Sequence, residues 1–444
     1  MSTPTDLTRL EKETVLKVKW RLLPLISIGM VCCFLDRLNI GFAALQMNAD
    51  LHLAPAAFGF AAGVVFLGYF VFEVPSNLMV GKFGPRKWLT RIMVTWGIVA
   101  TATAFAPSAR GLYVIRFLLG VAEAGFSPCL ILCITYWFRP KDHAQAVSAI
   151  FIGSCVATII AGPLSGWLLG WHAFGLRGWQ WLFIVEGLMP VAFAIVLWFL
   201  WTDAPEQAKW LRPDQKEWLV RTIAAENAVK DKPRRITLLE ALTRPGTLVL
   251  FFVFFLMGVG YLGQQFWMAQ IFKSFGKDLT SMQIGMLTVL PSICLMVSLI
   301  FWSRHSDVTG ERHWHYVIPC LVACAGLSCF FFATMNLALA VFAICLTGLG
   351  VGGTQSLFFT AVTQLLGKKE AAAGIAFINS GAALGGFVGP YLTGIVRGIF
   401  GNYQAAMVIL ASTFLITAII MHFFFVKTGT GRVREVAAGL AVDV

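Results

Sequence analysis

Long apolar runs recur along the whole chain and are separated by short polar segments. Each run is long enough to cross about 30 Å of hydrocarbon as a helix, at about 1.5 Å per residue. The runs are continuous rather than alternating, which disfavours a β-barrel. The pattern predicts an all-α membrane protein with twelve transmembrane helices, at 22–45, 56–79, 88–106, 111–137, 144–170, 179–202, 246–272, 281–303, 314–334, 338–366, 372–399 and 404–426.

A polar, charge-rich segment interrupts this series between the sixth and seventh helices. It divides the chain into an N-terminal six-helix bundle at 1–202, a cytoplasmic linker at 203–245, and a C-terminal six-helix bundle with a short tail at 246–444. Within the linker, the pattern predicts an amphipathic helix near 213–229 on the membrane surface. A plain solvated connector is the alternative interpretation of the same residues.

The two halves repeat each other in places. The second-to-third loop, 81–87, and the eighth-to-ninth loop, 307–313, share a glycine followed by an arginine at the same spacing. A Gly-Pro pair begins at Gly162 in the fifth helix and at Gly389 in the eleventh. Such repetition indicates two six-helix halves related by an axis along the membrane normal, an architecture of transporters.

Composition agrees with a membrane protein, and the placement of charge orients it. The chain of 444 residues is 58% hydrophobic and 13% charged, with a mean hydropathy of +0.77. A net charge of +12 would be compatible with a nucleic-acid-binding protein. Most Lys and Arg, however, lie in the loops on the side of the two termini. This positive-inside asymmetry predicts cytoplasmic termini and a lipid bilayer, with no nucleic acid, as the environment.

The cysteines do not indicate a metal site or a disulfide framework. All 10 fall within apolar runs, where cysteine behaves as a small packing residue. We therefore expect no metal and no cofactor. Residues 1–21 are polar and charged, so we also expect no cleavable signal peptide, and the first helix would act as an uncleaved signal-anchor.

Four charged residues lie near the middle of two predicted helices, the first and the fourth. Asp36 and Arg37 are neighbours in the first, with Asn39 on the face of Asp36, and Arg116 and Glu123 lie two turns apart in the fourth. A charge at the bilayer centre costs about 2.5–3.5 kcal/mol on insertion scales. These groups either form fixed ion pairs, Asp36 with Arg116 and Glu123 with Arg37, or bind an anion and carry protons.

Counting charges favours the second interpretation. Away from their ends, the helices contain two arginines but four acids, because Glu73 and Glu186 also lie within them. Since a buried carboxylate without a cation is costly, some of these acids should carry protons. An incoming anion would compete with Asp36 and Glu123 for the arginines, which would couple anion binding to protonation. We interpret Glu73 and Glu186 as structural.

Uncharged polar residues within the helices complete a candidate substrate site. Tyr69 lies in the second helix, Gln264 in the seventh, Gln355 in the tenth and Asn379 in the eleventh. Each alone is typical of a hydrogen bond between helices, worth about 0.6 kcal/mol. As a set spread over both halves, they would line a central site.

The sequence resembles the anion:cation symporters of the major facilitator superfamily. The resemblance lies in FLDRLNIG at 34–41, EVPSNL at 73–78 with GPRKW at 84–88, RFLLGVAEAG at 116–125 and GWQWLF at 178–183. Within the family, GFAALQMN at 41–48 is most similar to the bacterial tartrate and related organic-acid permeases.

This resemblance implies two bundles with a central site reached alternately from each side, and proton-coupled uptake of organic anions. It implies that Asp36 and Glu123 are the protonated acids. It further implies that Arg37 and Arg116 contact the substrate, with Tyr69 nearby and Asn379 contributed by the other bundle.

The loops that resemble the family's cytoplasmic gate contain Arg86 in the first half and Asp307 with Arg312 in the second. One departure is that Gly81 replaces the usual acid in the first half, so the gate would be held asymmetrically. A second departure is Phe34, which stands where some sugar-acid members have tyrosine. This makes a polyol-chain substrate a weaker expectation.

The sequence therefore predicts a proton-coupled symporter in a bacterial inner membrane, working as a monomer, that imports a small organic acid anion such as a tartrate-like hydroxy-carboxylate or a sugar acid. An aromatic acid of the phthalate or 4-hydroxyphenylacetate type is the alternative substrate. A membrane enzyme or receptor is disfavoured, because we find no catalytic constellation and no large extramembrane domain. A channel fits the paired halves less well than alternating access does.

Overall fold

The computed structural model describes residues 4–228, 245–332 and 336–429, and these residues are almost entirely helical. The predicted all-α class is therefore confirmed for them. The helices are α1 Pro4–Asp50, α2 Pro55–Phe83, α3 Pro85–Ala102, α4 Ala109–Glu123, α5 Phe126–Trp137, α6 Pro140–Leu168, α7 Gly178–Leu200, α8 Pro213–Ala228, α9 Pro245–Gln265, α10 Met268–Phe275, α11 Ser281–Leu287, α12 Val289–Thr309, α13 His313–Cys329, α14 Leu337–Phe400 and α15 Gln404–Thr428.

Every predicted transmembrane helix has a helical counterpart. In the described part of the chain, 11 helical segments are long and apolar enough to cross a membrane. The remaining predicted helix, 314–334, corresponds to α13, which has 17 residues and spans about 26 Å at the usual helical rise.

Three of the predicted helices are interrupted. The fourth is divided into α4 and α5 directly after Glu123, where Gly125 adopts φ +87°. A side chain would be strained at that angle, and a Cβ there would lie 2.4 Å from Ser76 Oγ. The seventh is divided between α9 and α10, and the eighth between α11 and α12. Broken helices leave backbone groups free to bind, and in membrane proteins they line sites rather than face lipid.

The predicted turn between the tenth and eleventh helices was wrong. The chain is helical without a break from Leu337 to Phe400. Within that stretch, Leu337–Phe359 and Phe377–Phe400 are each apolar enough to span a membrane. The predicted turn at 367–371 reads GKKEA, and Lys, Glu and Ala are strong helix formers. Their charge marks an exit from the membrane but does not end the helix.

The chain divides into two compact units. The first unit contains Met1–Lys232 and the short segment Thr280–Met286, and the second contains Pro233–Leu279 and Leu287–Val444. In the first unit, α1 packs against α6 and α7, α3 packs against α7, and α2 packs against α4. In the second unit, α14 packs against α9, α12 and α13.

Glycines allow the closest helix contacts in both units. A Cβ on Gly120 of α4 would lie 1.9 Å from the Val65 carbonyl oxygen of α2, and one on Gly68 would lie 2.4 Å from the Phe117 carbonyl oxygen. In the second unit, a Cβ on Gly385 of α14 would lie 2.4 Å from the Phe255 carbonyl oxygen of α9. Helices in lipid pack by such small-residue contacts.

The predicted linker helix is present as α8, but it packs on protein. Leu219 is buried, and the Arg139 guanidinium lies 5.3 Å from the centre of the Trp218 ring. The predicted position of this helix on the membrane surface was therefore wrong for Leu219. The apolar side of an amphipathic helix can cover a protein surface as well as a lipid one.

Candidate functional site

Arg37 and Glu123 form an ion pair inside the first unit. The Arg37 Nη2 and Nε atoms lie 2.7 and 2.9 Å from Glu123 Oε1, and Cys33 Sγ also donates to that oxygen at 3.1 Å. Glu123 is 1% exposed, and its Oε2 has no hydrogen-bond partner among the described residues. Glu123 is the last residue of α4, directly before the break.

Two aromatic rings flank the Arg37 guanidinium. Its central carbon lies 5.1 Å from the centre of the Tyr69 ring and 5.5 Å from that of the Phe34 ring. A cation over an aromatic face is attracted by the ring quadrupole. The structure thus brings Tyr69, which the sequence only places in the second helix, next to the charged cluster.

Asp36 is held by neutral donors rather than by a cation. Its Oδ1 accepts from Asn39 Nδ2 at 3.2 Å and its Oδ2 from Trp96 Nε1 at 2.9 Å. Asp36 and Asn39 are buried, and Trp96 reaches them from α3. The sequence reasoning missed Trp96, because nothing distinguishes it from other tryptophans in apolar helices.

Arg116 is the least satisfied charged group of this cluster. It is 1% exposed, yet its Nε, Nη1 and Nη2 atoms have no hydrogen-bond partner in the described part of the chain. It lies near enough to attract Asp36 and Glu123 electrostatically, but the predicted Asp36–Arg116 ion pair is not formed. A buried guanidinium without partners costs of the order of several kcal/mol. An anion that enters this space would satisfy up to five N–H donors.

Glu186 of α7 lies beside the same cluster. It is 2% exposed, and its Oε1 accepts a long hydrogen bond of 3.4 Å from Ser165 Oγ. Asp36 and Asn39 are its other polar neighbours. The cluster therefore contains three acids and two arginines, and one of those arginines is unpaired.

The polar residues predicted for the C-terminal half lie in the second unit. Gln264 is buried near the end of α9, and its Nε2 lacks a hydrogen-bond partner among the described residues. Gln355 and Asn379 are half-buried on α14. Their participation in one site with the first unit stays a prediction.

The predicted gate residues make local contacts. The Arg86 backbone N–H donates to Asp203 Oδ1 at 2.6 Å, and its guanidinium lies 4.9 Å from the centre of the Trp198 ring. In the second unit, Arg312 Nη2 lies 2.7 Å from Asp307 Oδ1. Asp203, which the sequence reasoning missed, thus brings a carboxylate to the loop in which Gly81 replaces the expected acid.

Comparison with known proteins identifies the family. The sequence profile of the Major Facilitator Superfamily matches residues 26–282 and 267–441. An Agrobacterium vitis protein named as a candidate tartrate transporter is 41% identical over 93% of this chain and 94% of its own length. A quinolone resistance transporter of Acinetobacter baumannii is 36% identical over 96% of this chain and 98% of its own length.

A solved structure has the same fold. The bacterial homologue of the human lysosomal transporter Spinster, in an inward-facing, unoccupied conformation, matches with a TM-score of 0.75 at 15% identity and covers 94% of this chain and 99% of its own. The profile match and the identity to the curated relatives confirm the resemblance seen in the sequence. The chain therefore belongs to the Major Facilitator Superfamily and is a membrane transporter rather than an enzyme.

Proposed function

We propose that this transporter imports small organic acid anions, of the tartrate-like hydroxy-carboxylate or sugar-acid class, together with protons. The observation that carries the proposal is Arg116, a buried guanidinium whose nitrogen atoms lack hydrogen-bond partners among the described residues. A carboxylate matches the planar fork of a guanidinium and forms two parallel hydrogen bonds with it. Substrate binding would then supply hydrogen-bond partners for Arg116.

The neighbouring acids would provide the coupling to protons. Glu123 is paired with Arg37, and Asp36 is held by Asn39 and Trp96. A substrate anion bound to Arg116 would repel the carboxylates of Asp36 and Glu123, since it adds negative charge where water cannot screen it. Protonation of Asp36 or Glu123 would lessen that repulsion, and protonation of Glu123 would also free Arg37 for the substrate. Anion binding and proton binding would therefore favour each other.

Charge placement supports the proposed orientation. The loops on the side of the two termini carry most of the Lys and Arg, which favours cytoplasmic termini in a bacterial inner membrane. We assign 1–202 and 246–444 to the two moving bundles and 203–245 to their linker. Because one chain carries both bundles, a monomer would suffice for transport.

We assign the cytoplasmic gate to the contacts made by Arg86, Asp307 and Arg312. The carboxylate of Asp203 would take over, at the start of α3, the role of the acid that Gly81 replaces. In the second unit, Gln264, Gln355 and Asn379 would bind the part of the substrate that the arginines do not reach.

An aromatic acid is the second candidate substrate. The rings of Phe34 and Tyr69 flank the Arg37 guanidinium, and an aromatic acid could stack on such rings while its carboxylate binds an arginine. Both substrate classes contain a carboxylate, so binding to an arginine does not distinguish them. A panel of organic acids that differ in the rest of the molecule does.

The experiment is uptake by proteoliposomes under an imposed pH gradient. Hydroxy-carboxylates, sugar acids and aromatic acids are first ranked by the thermal shift that they induce in the purified protein. We expect the best binder to accumulate when the outside is acidic. Accumulation that is indifferent to the gradient would overturn proton coupling, and accumulation only with an opposite gradient would indicate export by antiport.

A further inference from the structure

Glu186 is a buried acid that the proposed function has not yet used. It is 2% exposed, and within the described residues it forms no ion pair. Ser165 donates to its Oε1, whereas its Oε2 has no hydrogen-bond partner among the residues that the structure describes. An ionised carboxylate in such a place would be strongly destabilised, because neither water nor a cation compensates its charge.

Asn39 lies between Glu186 and Asp36 and shows a complementary deficit. Its Nδ2 donates to Asp36 Oδ1 at 3.2 Å, and its amide also interacts with Glu186. Its Oδ1 is buried and has no donor in the described part of the chain. Asn39 Oδ1 and Glu186 Oε2 thus both lack a partner among the described residues. A proton on Glu186 Oε2 would satisfy both atoms, because a protonated carboxyl donates one hydrogen bond and Asn39 Oδ1 can accept it.

The charges around Glu186 also favour a proton on it. Asp36 is the titratable neighbour that faces Glu186 from α1, and it is buried too. Two adjacent buried carboxyls cannot both ionise cheaply, so they share a proton. Arg116 lies near enough to attract Asp36, whereas the groups that face Glu186 in the described part of the chain include no cation, so the negative charge is better placed on Asp36 than on Glu186.

We propose that Glu186 is a proton-binding residue of the transport cycle, and that it and Asp36 hold one proton between them through Asn39. When Glu186 is protonated, its O–H donates to Asn39 Oδ1, and Asn39 Nδ2 donates to ionised Asp36. When Asp36 takes up a proton from water, Glu186 releases one to water, and the amide turns so that Nδ2 donates to Glu186 and Oδ1 accepts from Asp36. The proton count and charge balance, and no other bond breaks.

This inference rests on the proposed proton coupling, and it makes Glu186 the resting place of a transported proton. In this structure Asn39 Nδ2 donates to Asp36 Oδ1, which is the arrangement expected when Asp36 is ionised and Glu186 carries the proton. Ionised Asp36 would attract Arg116, and protonation of Asp36 would release Arg116 for the anion.

The test compares Glu186→Gln with the unmodified protein and with Glu206→Gln, a matched change at an exposed glutamate. The glutamine amide imitates protonated Glu186, because it donates to Asn39 but cannot lose a proton. A pH gradient of one unit is worth about tenfold in accumulation for each proton coupled. We therefore expect Glu186→Gln to retain substrate exchange but to accumulate about tenfold less at such a gradient.

Infrared difference spectra give a readout that a structural role would not change. We expect the band of a protonated carboxyl to be present in the unmodified protein and in Glu206→Gln, and absent in Glu186→Gln. Unchanged accumulation with an unchanged band would overturn the proposal. If the unmodified protein shows no gradient-driven accumulation, the proposed function itself has failed instead.

A second variant keeps the proposal testable if Glu186→Gln does not fold. Asn39→Ala preserves both carboxyls but removes the amide between them. We expect it to lose gradient-driven accumulation while the carboxyl band persists with a shifted position. Accumulation equal to that of the unmodified protein would contradict the role of Asn39 and overturn the shared proton.

Discussion

Arg37 and Glu123 are joined across α1 and α4 by an ion pair, with Arg37 Nη2 2.7 Å from Glu123 Oε1 in the interior of the first unit. Arg116 of α4 is also buried, but it is unpaired among the described residues. One arginine is thus occupied by a carboxylate of the protein, while the other is available to an anion.

Glu123→Gln should separate binding from coupling. The amide cannot exchange a proton and attracts Arg37 less than a carboxylate does, so Arg37 becomes free for the substrate. We expect retained substrate exchange and lost proton-driven accumulation, measured in the same proteoliposome preparation. Gradient-driven accumulation equal to that of the unmodified protein would show that Glu123 is structural.

Arg116→Met should abolish binding of the organic acid and yet stabilise the substrate-free protein. Replacing buried charge by a well-packed apolar side chain is often neutral or stabilising, by about 1–4 kcal/mol. We expect a higher melting temperature without substrate and no thermal shift with it. Arg116→Lys retains the charge but not the planar fork, so its affinity should fall while some binding remains. Retained affinity in Arg116→Met would place the anion elsewhere.

Gly120→Val should destabilise the first unit. A Cβ at this position would lie 1.9 Å from the Val65 carbonyl oxygen, so α2 and α4 would have to separate, and Tyr69 and Glu123 would move apart with them. We expect a lower melting temperature by several degrees and weaker substrate binding. Gly81→Ala is the control. Gly81 lies on α2, the helix that Gly120 of α4 packs against, and a Cβ at Gly81 meets nothing within 4 Å. Equal stability of the two variants would contradict the close packing.

Glu311, in the loop before α13, should make stability depend on acidity. Partial burial opposes its ionisation, but hydrogen bonds from His315 and from the backbone N–H groups of Trp314 and His315 outweigh this and hold the pKa of Glu311 below its ordinary value. A lowered folded-state pKa stabilises the protein above the unfolded value of about 4.3, and the contribution is lost as the pH falls through the folded value.

Melting curves of the protein in detergent test this expectation. The drop in melting temperature between neutral pH and a pH below about 4 should be smaller for Glu311→Gln than for the unmodified protein. Glu217→Gln, at an exposed glutamate, should behave like the unmodified protein. An identical drop in Glu311→Gln would show that these hydrogen bonds contribute nothing to the pH dependence.

The sequence predicts much of this fold because lipid imposes a simple rule on it. A membrane-spanning helix needs a continuous apolar run, and such runs are visible without any tertiary information. The Arg37–Glu123 pair is one of the two ion pairs that the sequence offered as the alternative to anion and proton binding, and of those two only this one is formed in the described residues. The continuous helix across the predicted turn near 367–371 was not, because charged residues signal a membrane exit but do not break a helix.

Other parts of the site depend on contacts between distant residues. Trp96 donates to Asp36 across 60 positions of sequence, and Asp203 reaches Arg86 across 117. The break after Glu123 depends on the positive φ of Gly125, and one glycine among 42 gives no sign of it. The sequence also offers no means to decide which arginine is paired, since that depends on how α1 and α4 face each other.

The most direct measurement of the central claim is proton movement driven by substrate alone. Proteoliposomes without an imposed gradient are suspended in weakly buffered medium, and the identified organic acid is added outside while external pH and uptake are recorded together. We expect the medium to become alkaline in proportion to uptake, and Arg116→Met to show neither uptake nor a pH change. Uptake without alkalinisation, or with acidification, would contradict proton-coupled import.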